Sequence, residues 1–414
     1  MSISSPCSGE GRSLVRWLGA LPAKLRPSPE RVTIVAALAL LVTPASAQVA
    51  LTQENSDRIR QAGAEILFWN QAQRDANFPA METQFPGTVA KASRRPRPLR
   101  TGKPLTFDPA AYMTANNVAG LIVVQNGRVR LERYARGYTR EGRYTSFSVA
   151  KSLTSTLVGA AVKDGFIKSV DDPVTRYIPE LAGSAYDGVT VRQVLTMTSG
   201  VKWNEDYTDP NSDVARMYAK PVPAGTDPTV AYLRTLKREA APGSKWVYKT
   251  GETNLIGVLV TKATGKSLTD YAEARIWRPY GMERDLFWMV DQSGQNIGGC
   301  CLSASLRDYA RIGQFVLEGG RRVVPAGWFA DATRPATVTV NPATGNGYGY
   351  QWWTAGDGTF QAQGIFGQLI HIDPKRKLVI AMSSAWPRAT GRDLGASRVA
   401  FVKELKAVMD GEVR

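Results

Sequence analysis

The chain contains a single histidine, His371, among its 414 residues. Zinc sites in proteins are usually built from clusters of His and Cys ligands, and this chain has neither such a cluster nor a Cys-x-x-Cys pair. A Ser-His-Asp triad would have to use His371, and the G-x-S-x-G turn of the α/β-hydrolases is absent. His371 lies in an alternating strand pattern, where a histidine is usually a packing residue. We therefore expect no metal or other cofactor, and any nucleophilic serine would need a different base.

Cysteine is also scarce, with three residues in the whole chain. Cys7 lies near the N-terminus, and Cys300 and Cys301 are adjacent. No spacing typical of a disulfide framework is present. Because buried cysteine behaves as a small hydrophobic residue, we expect Cys300 and Cys301 to be small buried side chains that are not bonded to each other.

Basic residues exceed acidic ones, 52 to 36, which gives a formal net charge of +16. The basic residues form no run longer than pairs such as Arg94-Arg95, whereas nucleic-acid-binding proteins usually concentrate them in a patch or stripe. The composition, 43% hydrophobic and 21% charged, is typical of a globular protein. We therefore expect a small-molecule substrate and no nucleic-acid partner; the oligomeric state stays open.

The first 47 residues have the pattern of a signal peptide. A basic leader precedes an apolar run over residues 32–42, and Ala45-Ser46-Ala47 matches a small-x-small cleavage site. The apolar run is short for a membrane span. We expect cleavage after Ala47, a periplasmic or secreted mature protein, and no stable membrane insertion after cleavage. A retained leader that anchors the protein to the membrane is the alternative.

The remaining chain divides into two parts. Residues 48–104 predict an amphipathic helix over 51–75 followed by a proline-rich extended arm. Residues 105–410 predict a main domain that begins with a β-hairpin around Asn126-Gly127. Mainly helical signals over about 165–335 separate this hairpin from short strands after residue 345 and a last helix over 394–408. We expect an α/β fold of the α+β type: an antiparallel sheet built from both chain ends, flanked by helices, with a mostly helical insertion.

The stretch Ser146 to Ser152 begins a predicted helix and contains Ser148 and Lys151 at S-x-x-K spacing. Residues three apart on a helix lie on the same face. A serine hydroxyl becomes a good nucleophile when a nearby base accepts its proton. A lysine can be that base if burial disfavours its charged form. A surface lysine after a helix-capping serine is the alternative explanation of so short a motif.

Two further stretches share the chain with this motif: Trp246 to Gly257, which contains Tyr248-Lys249-Thr250, and Phe360 to Gln368, which contains Ala362-Gln363-Gly364. Taken together, the three stretches resemble the serine beta-lactamase-like superfamily over about residues 105–410. The closest resemblance is to the branch of class C beta-lactamases, esterases and D-Ala-D-Ala-peptidases, and within it to the aminohexanoate-dimer (nylon-oligomer) hydrolases.

This resemblance implies catalytic roles for three residues: Ser148 as the acylated nucleophile, Lys151 as its base, and Tyr248 as the group that passes a proton to the leaving group. It implies an oxyanion hole formed by the backbone N–H groups of Ser148 and Ile365. By the same resemblance, the substrate is bound by Tyr207, Thr250 and Gly364.

The third motif departs from the family pattern, because Ala362 stands where relatives commonly have a basic residue. That cation binds the carboxylate of a beta-lactam in the relatives. We therefore expect good turnover of short-acyl esters or amides with uncharged flanks and poor turnover of beta-lactams, unless Lys249 or Arg388 reaches the site. Overall the sequence predicts an exported serine hydrolase that cleaves an ester or amide through an acyl-enzyme. The alternatives are a beta-lactamase, a D-Ala-D-Ala carboxypeptidase, or a catalytically silent binding domain.

Overall fold

The computed structural model describes residues 54, 56–59, 65–223 and 225–412. The predicted signal peptide and its cleavage site lie outside these residues. Of the helix predicted over 51–75, residues 56–59 are helical and a second helical segment covers Gln71–Asn77. No helix in the described ranges is long and apolar enough to cross a membrane.

The centre of the fold is an eight-stranded sheet with the strand order β2-β4-β3-β12-β11-β10-β9-β8. Its strands are β2 (Arg100–Thr101), β3 (Val118–Gln125), β4 (Arg128–Tyr134), β8 (Gly347–Tyr348), β9 (Trp353–Thr354), β10 (Phe360–Gln363), β11 (Leu369–Asp373) and β12 (Leu378–Ser384). All neighbours are antiparallel except β2, which runs parallel to β4. The N-terminal hairpin joins the C-terminal strands through the β3–β12 pair, in which Val124 lies opposite Val379. The predicted α+β fold, with one sheet from both chain ends, is therefore confirmed.

Both faces of this sheet are buried, which explains the almost continuous hydrophobic run of β3. Leu121 and Val123 point to one face and pack with Phe401 and Leu405 of the last helix. Ile122 and Val124 point to the opposite face, which faces the rest of the core. Alternate residues of a strand point to opposite faces, so a strand covered on both sides needs apolar residues at every position.

Most of the described helices come from the chain between strands β4 and β8 of this sheet. They are α1 (Gln71–Asn77), α2 (Met81–Gln84), α3 (Ala110–Ala115), α4 (Ala150–Lys163), α5 (Val191–Leu195), α6 (Asp213–Arg216), α7 (Pro228–Leu233), α8 (Thr250–Thr264), α9 (Leu268–Ala272), α10 (Arg278–Tyr280), α11 (Leu306–Leu317), α12 (Trp328–Ala332) and α13 (Arg392–Gly411). A π-helical segment, Glu273–Trp277, joins α9 to α10. These helices agree with the helical signals of the predicted insertion.

Helix α4 is buried on all sides, and its polar side chains bond to surrounding loops. Ser152 Oγ donates to the Gln351 carbonyl at 2.6 Å, and Thr154 Oγ1 donates to the Gly298 carbonyl at 2.7 Å. A buried hydroxyl without a hydrogen-bond partner would cost free energy. These bonds therefore satisfy the buried hydroxyl groups of α4 and fix the loops that contain the two carbonyl groups. The residue that precedes α4 by two positions, Ser148, is thereby placed on a rigid support.

The sequence did not predict a second, four-stranded sheet of order β1-β6-β7-β5. Its strands are β1 (Gly87–Ala90), β5 (Tyr144–Thr145), β6 (Leu286–Met289) and β7 (Leu302–Ala304). The predicted extended arm supplies β1, and the predicted helical insertion supplies β6 and β7. Strand β5 ends immediately before the Ser148 segment, so this small sheet helps to position that segment.

Candidate active site

Lys151 is the buried centre of the site. Its Nζ lies 3.1 Å from Ser148 Oγ, 3.0 Å from Thr250 Oγ1 and 2.7 Å from the Gly299 carbonyl oxygen. The side chain is 1% exposed, and no carboxylate pairs with it directly among the described residues. Burial lowers the pKa of Lys151 to about 8, although the negative charge of Glu205 opposes this shift. The structure therefore brings the predicted serine and lysine into contact and makes the neutral amine accessible near neutral pH.

Ser148 does not lie inside the α-helix, as the sequence suggested, but in the 3-10 turn Phe147–Val149 that precedes α4. The turn is entered through Phe147, whose φ is +43°. Left-handed backbone is uncommon for a bulky residue and is found where the surrounding structure imposes it. The turn leaves the Ser148 hydroxyl partly exposed at the floor of a cleft.

Tyr248 lies on the cleft side of Lys151. The Tyr248 ring stacks on the Trp353 ring at 5.5 Å between centroids, and Lys151 Nζ lies 5.3 Å from the centroid of the Tyr248 ring. Burial, together with the charge of Glu205, raises the pKa of the Tyr248 phenol well above its usual range, and proximity to Ser148 lowers it only in part. The phenol is protonated at neutral pH, so it is suited to donate a proton.

Glu205 is a site residue that the sequence analysis missed. It accepts hydrogen bonds from the Tyr207 hydroxyl at 2.7 Å, from the Thr250 backbone N–H at 2.9 Å, from the Thr250 hydroxyl and from the Trp203 indole. Because Thr250 Oγ1 donates to Glu205, its lone pair can accept from Lys151. Lys151, Thr250 and Glu205 therefore form one hydrogen-bonded chain. The one sequence signal for Glu205 is its place in an acidic loop, Asn204 to Asp209, that also contains the predicted residue Tyr207.

The predicted substrate-binding residues fall into two groups. Tyr207 and Thr250 line the space beside Ser148, but both hydroxyls donate to Glu205, and the Thr250 hydroxyl also accepts from Lys151. Gly364 directly follows strand β10, and a Cβ there would lie 2.5 Å from the Ser146 carbonyl oxygen. Glycine is therefore required for strand β10 to approach the Ser148 turn. Ile365, the next residue, lines the cleft next to Ser148. Its oxyanion role stays a prediction.

Two spaces meet at Ser148, and they differ in character. One is a small apolar pocket of about 100 Å³, lined by residues such as Leu67, Met217 and Ile297. The other is the cleft, of about 430 Å³, which contains Tyr248, Gln363 and Arg398. Ser148, Tyr207 and Ile365 line both spaces, whereas Tyr248 lines the cleft alone. A proton donor belongs beside the leaving group, so the cleft suits the leaving group and the apolar pocket suits the acyl group.

A cation from outside the third motif lines the cleft. Lys249 is buried beside Glu252, 3.6 Å away, and Arg388 pairs with Asp393, so neither candidate lines the cleft. Arg398, on α13, does line it. Arg398 donates to Gln363 Oε1 and lies over the Trp386 ring, 5.0 Å from its centroid.

The expectation for the two adjacent cysteines was wrong in one respect. Cys300 and Cys301 are joined by a disulfide, although both are at least partly buried, as expected. They line the apolar pocket and follow Gly299, whose carbonyl accepts from Lys151. Sequence spacing gave no sign of this bond, because neighbouring cysteines can be bridged only by a particular local backbone conformation.

His371 lies on β11, as predicted, and lines neither of the two spaces that contain Ser148. It faces Gln361 of β10, with Nδ1 3.3 Å from Gln361 Oε1. Within the described ranges, no group of three or more His, Cys, Asp or Glu side chains is arranged to hold a metal ion.

Comparison with known proteins agrees with this geometry. The profile of the Beta-lactamase family matches residues 110–402. The chain belongs to the beta-lactamase family. It is 34% identical to the 6-aminohexanoate-dimer hydrolase of Paenarthrobacter ureafaciens over 284 residues, which cover 64% of this chain and 72% of that protein.

Solved structures of the beta-lactamase family share the fold. A candidate 6-aminohexanoate-dimer hydrolase from Bacillus anthracis superposes with a TM-score of 0.72 at 22% identity, over 81% of this chain and 94% of that one. A family VIII carboxylesterase superposes with a TM-score of 0.56 at 17% identity, over 72% of this chain and 95% of that one. This beta-lactamase-family chain is therefore a hydrolase of the serine beta-lactamase fold.

Proposed function

We propose that this protein hydrolyses an amide or ester bond through a covalent acyl-enzyme on Ser148. The 3.1 Å contact between Ser148 Oγ and Lys151 Nζ, in a site where burial lowers the pKa of Lys151 to about 8, carries the proposal. Histidine is not needed as a base, since His371 lies away from both spaces around Ser148.

In the acylation step, neutral Lys151 accepts the Ser148 proton as Oγ attacks the substrate carbonyl carbon. The carbonyl oxygen becomes an oxyanion, which the N–H groups of Ser148 and Ile365 stabilise. Each such donor contributes about 3 kcal/mol of transition-state stabilisation in comparable sites. The Tyr248 phenol donates its proton to the leaving nitrogen or oxygen as the bond to the acyl carbon breaks, and the Lys151 ammonium returns a proton to Tyr248.

Deacylation repeats these steps with water. Water attacks the acyl carbon and transfers a proton to the base, Lys151. The second tetrahedral intermediate then expels Ser148 Oγ, which is reprotonated. The acid product leaves, and Ser148, Lys151 and Tyr248 return to their starting protonation states.

The two spaces around Ser148 define the substrate class that we propose. The apolar pocket takes a short aliphatic acyl chain. Arg398 gives the cleft a cation that Ala362 does not provide, which favours a leaving group with a carboxylate over the uncharged flank that the sequence suggested. A linear amide between an aliphatic acid and the amino group of an amino acid has both the acyl chain and the leaving-group carboxylate. The similarity to 6-aminohexanoate-dimer hydrolase supports this substrate class.

The decisive experiment is labelling with a fluorophosphonate followed by peptide mass spectrometry. The label should be found on Ser148 and be absent from Ser148→Ala, and wild type should hydrolyse p-nitrophenyl butyrate. A protein that is neither labelled nor active on esters and amides would instead be a silent binding domain. Turnover of nitrocefin at ten times the kcat/KM of p-nitrophenyl butyrate would identify a beta-lactamase.

The leaving-group assignment is tested with N-butyryl-6-aminohexanoate and its uncharged carboxamide. Wild type should prefer the carboxylate, and Arg398→Met should lose about ten- to a hundredfold of that preference, the usual effect of one charge-assisted hydrogen bond. An unchanged preference would remove Arg398 from substrate recognition without affecting the assignment of Ser148.

We also propose that the protein is exported and acts in the periplasm or outside the cell. The supporting pattern is the basic leader, the apolar run and the Ala45-Ser46-Ala47 site. N-terminal sequencing of the mature protein should find Gln48 as the first residue, whereas an intact N-terminus would favour retention of the leader.

A further inference from the structure

A second large cavity lies behind the active-site cleft. It measures about 690 Å³ and is bounded by strands β9, β10 and β11 and by helix α13. Trp353 and Arg398 line both this cavity and the cleft, but Ser148 does not line the cavity. We call it the basic cavity because five cationic side chains line it, together with two carboxylates. These are Lys375, Arg376, Arg398, Lys403 and Lys406, with Asp357 and Asp373.

The two carboxylates are already paired with two of the cations. Arg376 contacts Asp373 at 2.8 Å, and Lys406 contacts Asp357 at 3.3 Å. Within the part of the chain that the structure describes, Lys375 and Lys403 have no carboxylate partner, and both are exposed at the rim. The cavity thus keeps a positive field that its own acidic residues do not neutralise.

One of the positive charges in the basic cavity, that of Arg398, is buried, which is unusual for a charged side chain. It is 8% exposed, and burial lowers its pKa to about 10. Of the described residues, only Gln363 accepts a hydrogen bond from it, through one guanidinium nitrogen. A buried charge is costly unless it is paired, and a guanidinium offers two parallel N–H bonds that match a carboxylate.

His371 adds a neutral polar contact to the same cavity. It is 5% exposed, and its Nε2 is buried with no hydrogen-bond partner among the described residues. Burial and then the nearby Lys406 charge lower its pKa to about 4, so the ring is uncharged at neutral pH. When Nδ1–H donates to Gln361 Oε1, Nε2 is an acceptor, and it can take a hydrogen bond from a hydroxyl group.

We propose that the basic cavity is a second binding site, separate from the active-site cleft, for a small organic polyanion of the hydroxycarboxylate class. Its carboxylates would contact Arg398, Lys375 and Lys403, and its hydroxyl would donate to His371 Nε2. Arg398 also lines the cleft, but Lys375, Lys403 and His371 line the basic cavity alone and take no part in the proposed hydrolysis. The second site can therefore be tested through these three residues whether or not the protein is a hydrolase.

Citrate is the probe, and binding is measured by isothermal titration calorimetry at neutral pH. Wild type should bind one citrate per chain. Lys375→Ala/Lys403→Ala should bind at least tenfold more weakly, as expected for the loss of two charge-assisted contacts. The matched control, Lys163→Ala/Lys168→Ala, removes two exposed lysines on another surface and should bind like wild type. Equal weakening in both double variants would reduce the effect to overall charge and overturn the proposal.

The hydroxyl contact has its own test. Tricarballylate matches citrate without the hydroxyl, so it should bind wild type several-fold more weakly, and His371→Phe should remove the difference. If His371→Phe does not fold, the lysine variants still decide the proposal, because those side chains are exposed. Citrate binding should also persist after a bulky fluorophosphonate has modified Ser148, or, if the protein does not react, in the presence of saturating ester. Loss of binding there would place the anion in the cleft and overturn the proposal.

Discussion

The rings of Phe147 and Phe366 lie 5.2 Å apart, and both residues have positive φ, +43° and +61°. Phe147 directly precedes Ser148, and Phe366 directly follows Ile365. Phe78 packs against both rings, at 5.0 and 5.3 Å. This aromatic triad holds together the two turns that present the proposed oxyanion donors, and so it links their backbone conformations to the core.

Removing the third ring of the triad should loosen both turns at once. Phe78→Ala should destabilise the protein by about 3–5 kcal/mol, as for other buried Phe→Ala changes, and should reduce kcat about tenfold at a temperature where the variant is folded. Phe315→Ala is the control, because Phe315 is equally buried but packs against Tyr280 and Phe329. Differential scanning calorimetry and ester hydrolysis measure both effects. Equal loss of kcat in the two variants would attribute the effect to stability alone.

The pH dependence of turnover should report the state of Lys151. The neutral amine is the active form, and burial lowers its pKa to about 8. The value of kcat/KM should therefore rise with pH and level off above about 8, because deprotonation of the free enzyme increases the active fraction. A profile with its acidic limb near 4, the value to which burial lowers the pKa of His371, would instead indicate a histidine base.

Glu205→Gln should move that acidic limb to lower pH. The Glu205 charge raises the pKa of Lys151, so removing the charge makes deprotonation easier. The same change should bring the Tyr248 pKa down toward its usual range, since Glu205 also raises that pKa. Asp209→Asn, on the same loop, is the control and should leave the limb in place. A limb that does not move in Glu205→Gln would show that Glu205 has only a structural role.

Gly364→Ala should damage catalysis through the oxyanion hole. The new Cβ would meet the Ser146 carbonyl oxygen at 2.5 Å and force strand β10 away from the Ser148 turn. We expect kcat to fall about a hundredfold, similar to the loss of one oxyanion donor elsewhere. Gly395→Ala is the control in the same cleft, because a Cβ there meets no atom within 4 Å.

If both glycine variants kept wild-type kcat, the close approach of the two segments would not matter for catalysis. A lower kcat in both variants would point to a general effect of adding a methyl group to the cleft.

The sequence predicted the elements whose conformation depends mainly on residues that are neighbours in the chain. The hairpin at Asn126-Gly127 is an example: both residues adopt positive φ, +51° and +72°, as a tight two-residue turn requires. The Ser148–Lys151 pair was also predictable, because three residues of helical backbone fix the distance between the two side chains.

What the sequence did not reveal depends on contacts between distant segments. Strands β1, β5, β6 and β7 have two to four residues each, too few for a periodic signal, and they form only by pairing with one another. Glu205 reaches Lys151 through Thr250, and Arg398 reaches the cleft from the last helix. Neither residue belongs to a motif, so only the folded chain shows their positions.

The β3–β12 pair also determines when the central sheet can form during synthesis of the chain. Strand β3 and Ser148 leave the ribosome early, but β12, the inner neighbour of β3, comes from near the C-terminus. Pairing of such distant segments is slow because a long loop must close first. Until then the apolar β3 has an unpaired edge that can associate with other chains. A nascent or truncated chain without β10 to β12 would carry the serine and the lysine but lack Ile365, so hydrolysis would begin only when the whole polypeptide has folded.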